Sequence, residues 1–387
     1  MSTIFAAQGS KIYTHSGCQD ALSIKADTLI TLDNRFCLDP DQEPSHAIVV
    51  DTKSSLVGFD VNRTAIKVVT EKGYETTLHA DTVVVTSRGL KVAAELSEDD
   101  CLMLMNECPM GYDETTSITL MEDEVSGYEL LQKQYNLGRL LGWLVGDGTI
   151  RRSPRQTQYL LYFCHQDIPL AHYFAEQLGG VAVGIHANNG SPNNTKTATV
   201  NIPVRLMPKR YETKDELDAD LFNMPLETVR GYLRGLFSAD GTVDKYTIVL
   251  SQSNENRLQI VQKLLLHFGV VCTVSLRSEA GTYNWVKNGE VVATGPKKAN
   301  YILTISGWNC NKFMEEIGFD VEAKTERLSK QVFTRSAKPY KAETYCVAIE
   351  RVQIVENHEF NILEVQKPVT HNTILAYSSD GILCVAK

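Results

Sequence analysis

LLGWLVGDG (140–148) and LRGLFSADG (233–241) align without gaps, and the fold follows from that match. Each closes an apolar run at helical spacing, and each ends in Asp-Gly. The aspartates, Asp147 and Asp240, stand 93 residues apart. Small residues lie four apart in each copy, Gly142 and Gly146, then Gly235 and Ala239, which puts them on one helix face. Two such faces can approach closer than the ~8–10 Å usual between helix axes. The glycines after the acids, Gly148 and Gly241, are expected in the left-handed conformation that ends many helices. Helices paired along these faces bring Asp147 and Asp240 together. Adjacent carboxylates at two partly negative helix ends repel, and a divalent cation relieves that repulsion. Oxygen ligands suit Mg²⁺, with Mn²⁺ as a substitute. A cation between carboxylates and a phosphate is an arrangement for phosphodiester hydrolysis. One Asp-Gly alone is an ordinary helix-ending turn; the repetition carries the reading.

Outward from the motifs, the middle of the chain repeats one order of elements. The helix ending at 147 is followed by strand-like QYLLYFC, a helix PLAHYFAEQLGG, and the runs VAVGIHA and TATVNIPV. The helix ending at 240 is followed by YTIVLSQ, the helix NRLQIVQKLLLHFGV, the runs VCTVSLR and NYILTIS, and the helical NKFMEEIGF. Two halves with pseudo-two-fold symmetry are expected, each a mixed sheet backed by helices. The first ~105 residues alternate β-branched residues with turn residues, and the tail from Thr344 returns to that style. Residues 107–128 are acidic and turn-rich, as in a linker. A β-rich domain split by an inserted α/β domain is the economical α+β arrangement.

At ~150 residues per domain, 387 residues make two or three domains. With 43% hydrophobic and 22% charged residues, disordered and collagen-like chains are excluded. No apolar run approaches the ~18–20 residues of a membrane span, so no membrane partner is expected. MSTIFAAQGSK has no basic patch before an apolar stretch, so no secretory signal is expected. Nine scattered cysteines without a CxxC pair point to reduced thiols in an intracellular protein. The net charge of −9 is unevenly spread: residues 151–345 hold 24 Lys and Arg against 19 Asp and Glu, and the remainder holds 14 against 28. A DNA-binding surface is therefore expected in the middle only.

These segments resemble the LAGLIDADG motif of homing endonucleases, with Asp147 and Asp240 at the eighth position, where that family carries its metal-binding acid. Val145 and Ser238 depart from it at the variable sixth position. The resemblance covers roughly 128–335. It implies a monomer that cuts double-stranded DNA at a long asymmetric site, leaving short 3′ overhangs, with Asp147 and Asp240 both catalytic and metal-binding. It also implies a catalytic lysine, for which Lys324 is the candidate; Lys209 and Lys214 are the first-half candidates. Strand side chains of the family enter the DNA groove. The candidate DNA contacts are Arg151, Arg152, Arg155, Lys245, Arg277, Lys287, Lys297 and Lys298.

The flanks resemble the splicing (Hint) domain of inteins. GSKIYTHSG (9–17) matches its opening, Thr76 and His79 match its T-x-x-H block, and Phe360-Asn-Ile-Leu, Thr370-His371 and Gly381-Ile-Leu match its closing blocks. Splicing needs a Cys or Ser nucleophile near Ile4 or Phe5 and a His-Asn terminus, yet the chain ends Val385-Ala386-Lys387. His371-Asn372 falls where that family has an interior histidine. Thr76 and His79 are therefore vestigial, and the chain is similar to a free-standing, intein-derived endonuclease. The implied boundaries are 1–115 and 341–387 for the split Hint-like domain and 116–340 for the endonuclease, with half-repeats at about 128–225 and 226–335. A self-splicing or self-cleaving intein and a DNA-binding relic that does not cut are the alternatives. An intracellular location is expected, the nucleus in a eukaryote.

Overall fold

The computed structural model describes residues 2–14, 17–32, 50–104, 127–153, 156–187, 196–287, 290–332, 346–365, 376–380 and 382–385. Seven helices lie among them: α1 (Gly127–Val145), α2 (Ile168–Gln177), α3 (Lys214–Asp220), α4 (Leu226–Ala239), α5 (Glu255–Leu266), α6 (Trp308–Glu316) and α7 (Glu322–Val332).

The motif helices α1 and α4 pack face to face, and both are buried nearly all round over their last turns, as central helices are. Their seam runs one turn further than the motifs predict. A Cβ on Gly138 would stand 2.0 Å from the Thr228 carbonyl oxygen, and one on Gly142 would stand 2.0 Å from that of Tyr232. In return, a Cβ on Gly231 would meet the Tyr135 carbonyl oxygen at 2.1 Å, and one on Gly235 that of Arg139 at 2.2 Å. At the end of the seam, a Cβ on Gly146 would meet the Ala239 methyl at 2.6 Å. Backbone lies directly on backbone.

The glycines after the acids differ from expectation. Gly148 and Gly241 are not left-handed; they open the strands Gly148–Arg152 and Gly241–Asp244. Space requires them: a Cβ on Gly148 would stand 2.5 Å from the Leu144 carbonyl oxygen, and one on Gly241 would stand 2.4 Å from that of Phe237. The chain turns back so tightly against its own helix that no side chain fits.

The repeat is present. The first half forms a four-stranded sheet, antiparallel throughout and not mixed as expected, in the order Gly148–Arg152, Thr157–Phe163, Lys196–Ile202, Val183–Ala187. The second half repeats that order with Gly241–Asp244, Thr247–Gln252, Asn300–Ser306 and Thr273–Ser278. The strand Thr157–Phe163 alternates buried and half-buried residues, as a strand with one covered face does. Its Phe163 stacks on Trp143 at 4.8 Å, and Phe174 of α2 closes on the same indole edge-on at 5.7 Å. Between Thr273–Ser278 and Asn300–Ser306 a separate hairpin, Gly281–Lys287 with Glu290–Lys297, interrupts the repeat. Neither this hairpin nor the charged helix α7 belongs to the expected repeat, whereas α3 is the helical stretch expected to close the first half.

The two ends of the chain meet in a twelve-stranded antiparallel sheet, with Ser2–Ala7 pairing with Cys346–Val365 from Ser2 opposite Val365 to Ala7 opposite Phe360. The long strands Val50–Thr70 and Cys346–Val365 also pair, so the sheet closes on itself. By compactness the chain divides into two units: Met1–Gly111 with Val249–Asn309 and Lys338–Lys387, and Tyr112–Ile248 with Cys310–Ala337. The first unit therefore includes α5, which the repeat alone assigned elsewhere. The Gln262 amide explains why, donating to the Lys72 carbonyl at 2.7 Å and the Cys272 carbonyl at 3.1 Å. The expected linker at 107–128 lies almost wholly outside the described residues.

Gly142→Ala is expected to cost at least ~1–3 kcal/mol, because its methyl has only backbone to displace. Denaturant unfolding measures that loss, and Gly142→Val should cost more.

Candidate active site

Asp147 follows the last turn of α1, and Asp240 is the C-cap of α4 with φ −93° and ψ −17°. The seam places them together: the Asp240 carboxyl carbon lies 3.4 Å from where a Cβ on Gly146 would stand. Asp147 is open to solvent on one side. Partial burial nevertheless pushes its carboxyl above the usual range, and the charge of Asp240 pushes it further.

A lysine closes each helix end. Lys324 of α7 donates to the carbonyl oxygens of Phe237 at 3.2 Å, Ser238 at 2.5 Å and Ala239 at 3.2 Å. Lys214, the first residue of α3, donates to the Val145 carbonyl at 2.6 Å and that of Gly146 at 3.4 Å. Each ammonium satisfies carbonyls that a helix end leaves unpaired and opposes the negative end of the dipole. Burial lowers the Lys324 ammonium below its ordinary value, while Asp167, Asp147 and Asp240 pull it back up. Of the two first-half candidates, Lys214 stands at the site. Lys209 pairs with Asp220 at 2.6 Å and lies over the Tyr211 ring.

Asp167 is a third acid that the sequence reading missed. It sits in the single turn His165–Asp167 between the strand Thr157–Phe163 and α2, and its charge acts on both Asp147 and Lys324. The Cys164 thiol donates to its Oδ2 at 2.6 Å, and burial followed by that bond pushes the thiol up.

No three His, Cys, Asp or Glu side chains among the described residues form a metal cluster. Mg²⁺ needs no such cluster: one or two carboxylates hold it, and water and phosphate oxygens complete its octahedron. Two hard carboxylates that repel each other fit such an ion.

The candidate DNA contacts are dispersed. Arg151 and Arg152 are exposed on Gly148–Arg152, where Arg151 donates to the Tyr162 hydroxyl at 2.9 Å and Arg152 pairs with Glu212 at 2.7 Å. Lys245 is exposed at a turn with φ 46°, and Arg277, Lys297 and Lys298 are exposed. Lys287 ends a strand of the inserted hairpin, with its side chain outside the described set, as is all of Arg155.

Thr76 and His79 are buried in the β-rich unit. The Thr76 hydroxyl donates to Asp380 Oδ2 at 3.3 Å, and Asp380 also takes the Lys263 ammonium at 2.7 Å. The His79 ring stacks on Phe5 at 4.3 Å and accepts the Asp81 amide at Nδ1. Neither Ile4 nor Phe5 carries a nucleophile. Ala386, Lys387 and the stretch 370–373 lie outside the described residues.

The second half-repeat matches a known family. Residues 227–318 fit the LAGLIDADG-like domain, which takes in the second motif with Asp240. A DNA polymerase of Thermococcus litoralis is 27% identical over 263 residues, 62% of this chain and 14% of that protein. The tRNA-splicing ligase RtcB of Methanopyrus kandleri is 22% identical over 412 residues, 90% of this chain and 39% of that protein. The chain thus spans well under half the length of either. Among solved structures, I-DmoI in complex with DNA and Ca is 17% identical with a TM-score of 0.37, covering 51% of this chain and 98% of that one.

A carboxyl held above its ordinary value leaves the fold unpenalised in acid and penalises it as pH rises through the raised value. Without metal, Asp147→Asn should therefore raise Tm at neutral pH, by at most ~4 °C because solvent screens the group, and not in acid. Adding Mg²⁺ should stabilise the parent more than the variant, as thermal scans with and without the ion will record.

Proposed function

We propose that the chain is a divalent-metal-dependent, site-specific DNA endonuclease of the LAGLIDADG homing type, carried in an intein-derived framework that no longer splices. The observation that carries this reading is the meeting of Asp147 and Asp240 at one end of a backbone-on-backbone helix seam, with a lysine on each helix terminus. The LAGLIDADG-like match over the second motif supports it. The relatives support the intein part. A DNA polymerase and an RNA ligase share no activity by name, yet both contain a stretch similar to this chain that fills a minor share of each. Similarity confined to such a stretch belongs to a mobile insertion in the two hosts.

Asp147 and Asp240 would hold the cation, Mg²⁺ or Mn²⁺. When bound, it polarises the phosphoryl oxygen and eases attack by water. The chain's own groups do the rest. The carboxylates fix where the scissile phosphate sits. Lys214 and Lys324 hold positive charge at the two helix ends, where charge develops on the phosphate oxygens. The charge of Asp167 opposes the lowering of the Lys324 ammonium by burial. Both acids come from one chain, so a monomer suffices, and unlike halves suit an asymmetric double-stranded site. The basic residues on the strands of the two half-repeats supply phosphate contacts. The loss of splicing rests on Phe5 covering the His79 ring where a nucleophile belongs.

Purified chain with Mg²⁺ and a randomised DNA library should yield cut ends that align on one long asymmetric site. Asp147→Asn or Asp240→Asn should abolish cutting while retaining binding, and binding should weaken steeply with salt. Undiminished cutting by Asp240→Asn, or none by the parent with either Mg²⁺ or Mn²⁺, overturns the reading. A ligated or clipped product from a chain with added flanking residues overturns the loss of splicing.

A further inference from the structure

The two lysines are held by unlike devices. Ahead of Lys214, the turn is fixed by a neutral pair: the Tyr211 amide donates to the Tyr159 hydroxyl at 2.8 Å, and that hydroxyl donates to the Tyr211 carbonyl at 3.0 Å. Ahead of Lys324, the turn 317–321 is fixed by charge. The Asp320 side chain is 1% exposed and takes guanidinium groups from both motif helices. Arg139 of α1 reaches its Oδ1 at 2.8 Å and its Oδ2 at 3.1 Å, and Arg234 of α4 reaches its Oδ1 at 2.6 Å.

Arg234 also donates to the Ile317 carbonyl at 3.1 Å and the Phe319 carbonyl at 2.7 Å, and the Asp320 amide donates to the Ser238 hydroxyl at 2.6 Å. The Lys324 amide, four residues on, closes the same turn on the Val321 carbonyl at 3.0 Å. A buried ion network is a poor stabiliser, because desolvation offsets its attraction. Its distinctive product is geometry, and here the geometry delivered is the position of α7 against the end of α4.

We infer that Asp320 is a positioning residue: through Arg139 and Arg234 it holds Lys324 on the Phe237, Ser238 and Ala239 carbonyls, so that its loss handicaps one half of the site and turns a double-strand cutter into a nicking enzyme. This rests on the endonuclease reading. Asp320→Asn keeps the side-chain shape and removes the charge that both arginines share. Because Lys214 is anchored by the tyrosine pair, the half-site it serves keeps its geometry.

The test uses the full chain and a supercoiled plasmid bearing the site recovered by cleavage selection. The parent should give linear DNA. Asp320→Asn should accumulate nicked circle, the second cut slowed roughly tenfold to a hundredfold, as small misplacements of a charged group produce. On strand-labelled substrate, Asp320→Asn and Lys324→Met should spare the same strand, and Lys214→Met the other. The double variant Asp320→Asn/Lys324→Met should be no slower than Lys324→Met alone, since one residue acts through the other.

Ser238→Ala removes one anchor of the turn without touching charge and should show a milder form of the same defect, which keeps the question open to experiment if Asp320→Asn does not fold. Equal slowing of both cuts, or additive losses in the double variant, overturns the inference and leaves the endonuclease intact. A parent that cuts no DNA overturns both.

Discussion

Two helices that touch backbone to backbone are the constraint on which the rest depends. Gly138, Gly142, Gly231 and Gly235 each face a carbonyl oxygen of the opposite helix at a distance that excludes any side chain. Glycine in a helix interior weakens that helix by roughly 1 kcal/mol per residue. Four of them in two helices are retained because the closeness has a consequence at the far end. There the helices stop together, and Asp147 and Asp240 stop with them. The acids lie together because the axes do.

That placement creates an electrostatic problem and supplies its own partial answer. Two carboxylates, a third at Asp167, and two helix C-termini concentrate negative potential. Lys214 and Lys324 oppose it from within the fold, each seated on terminal carbonyls. The lysines sit on the helix ends and offset the acids only in part: their charges pull the Asp147 carboxyl down, yet it remains harder to ionise than an ordinary carboxylate. The remaining demand for positive charge is what the proposed divalent cation would meet.

The motif helices, their pairing and three of the four strands in each half were legible in the sequence, because two copies of one pattern reveal which small residues face a partner; the strands Gly148–Arg152 and Gly241–Asp244, straight after the acids, were not. Lys324 was legible through family likeness. Asp167 was not, because a single acid in a short turn carries no periodicity. Asp320 was invisible for a similar reason: its arginines, Arg139 and Arg234, lie 95 residues apart and read as solvated charges on amphipathic helices. Gly148 and Gly241 were read correctly as special and for the wrong reason, since a helix-ending glycine and one crowded by its own helix look alike in sequence. The hairpin Gly281–Lys287 with Glu290–Lys297 escaped because its Gly and Lys content resembles a loop.

The closure of the β-rich sheet has a kinetic side. Ser2 pairs with Val365, so the strand Ser2–Ala7 must wait for one made more than 350 residues later. At the ~5–20 residues per second of ribosomal synthesis, that wait is roughly 20–70 s. The strand Ser2–Ala7 spends it as an unmated edge in a nascent chain, the condition in which strands find wrong partners. The motif helices, by contrast, have both emerged by residue 240 and can pair while the sheet is still open. The order of synthesis thus favours a core that assembles first around the helices, with Ser2–Ala7 joining its sheet only after Val365 has been made.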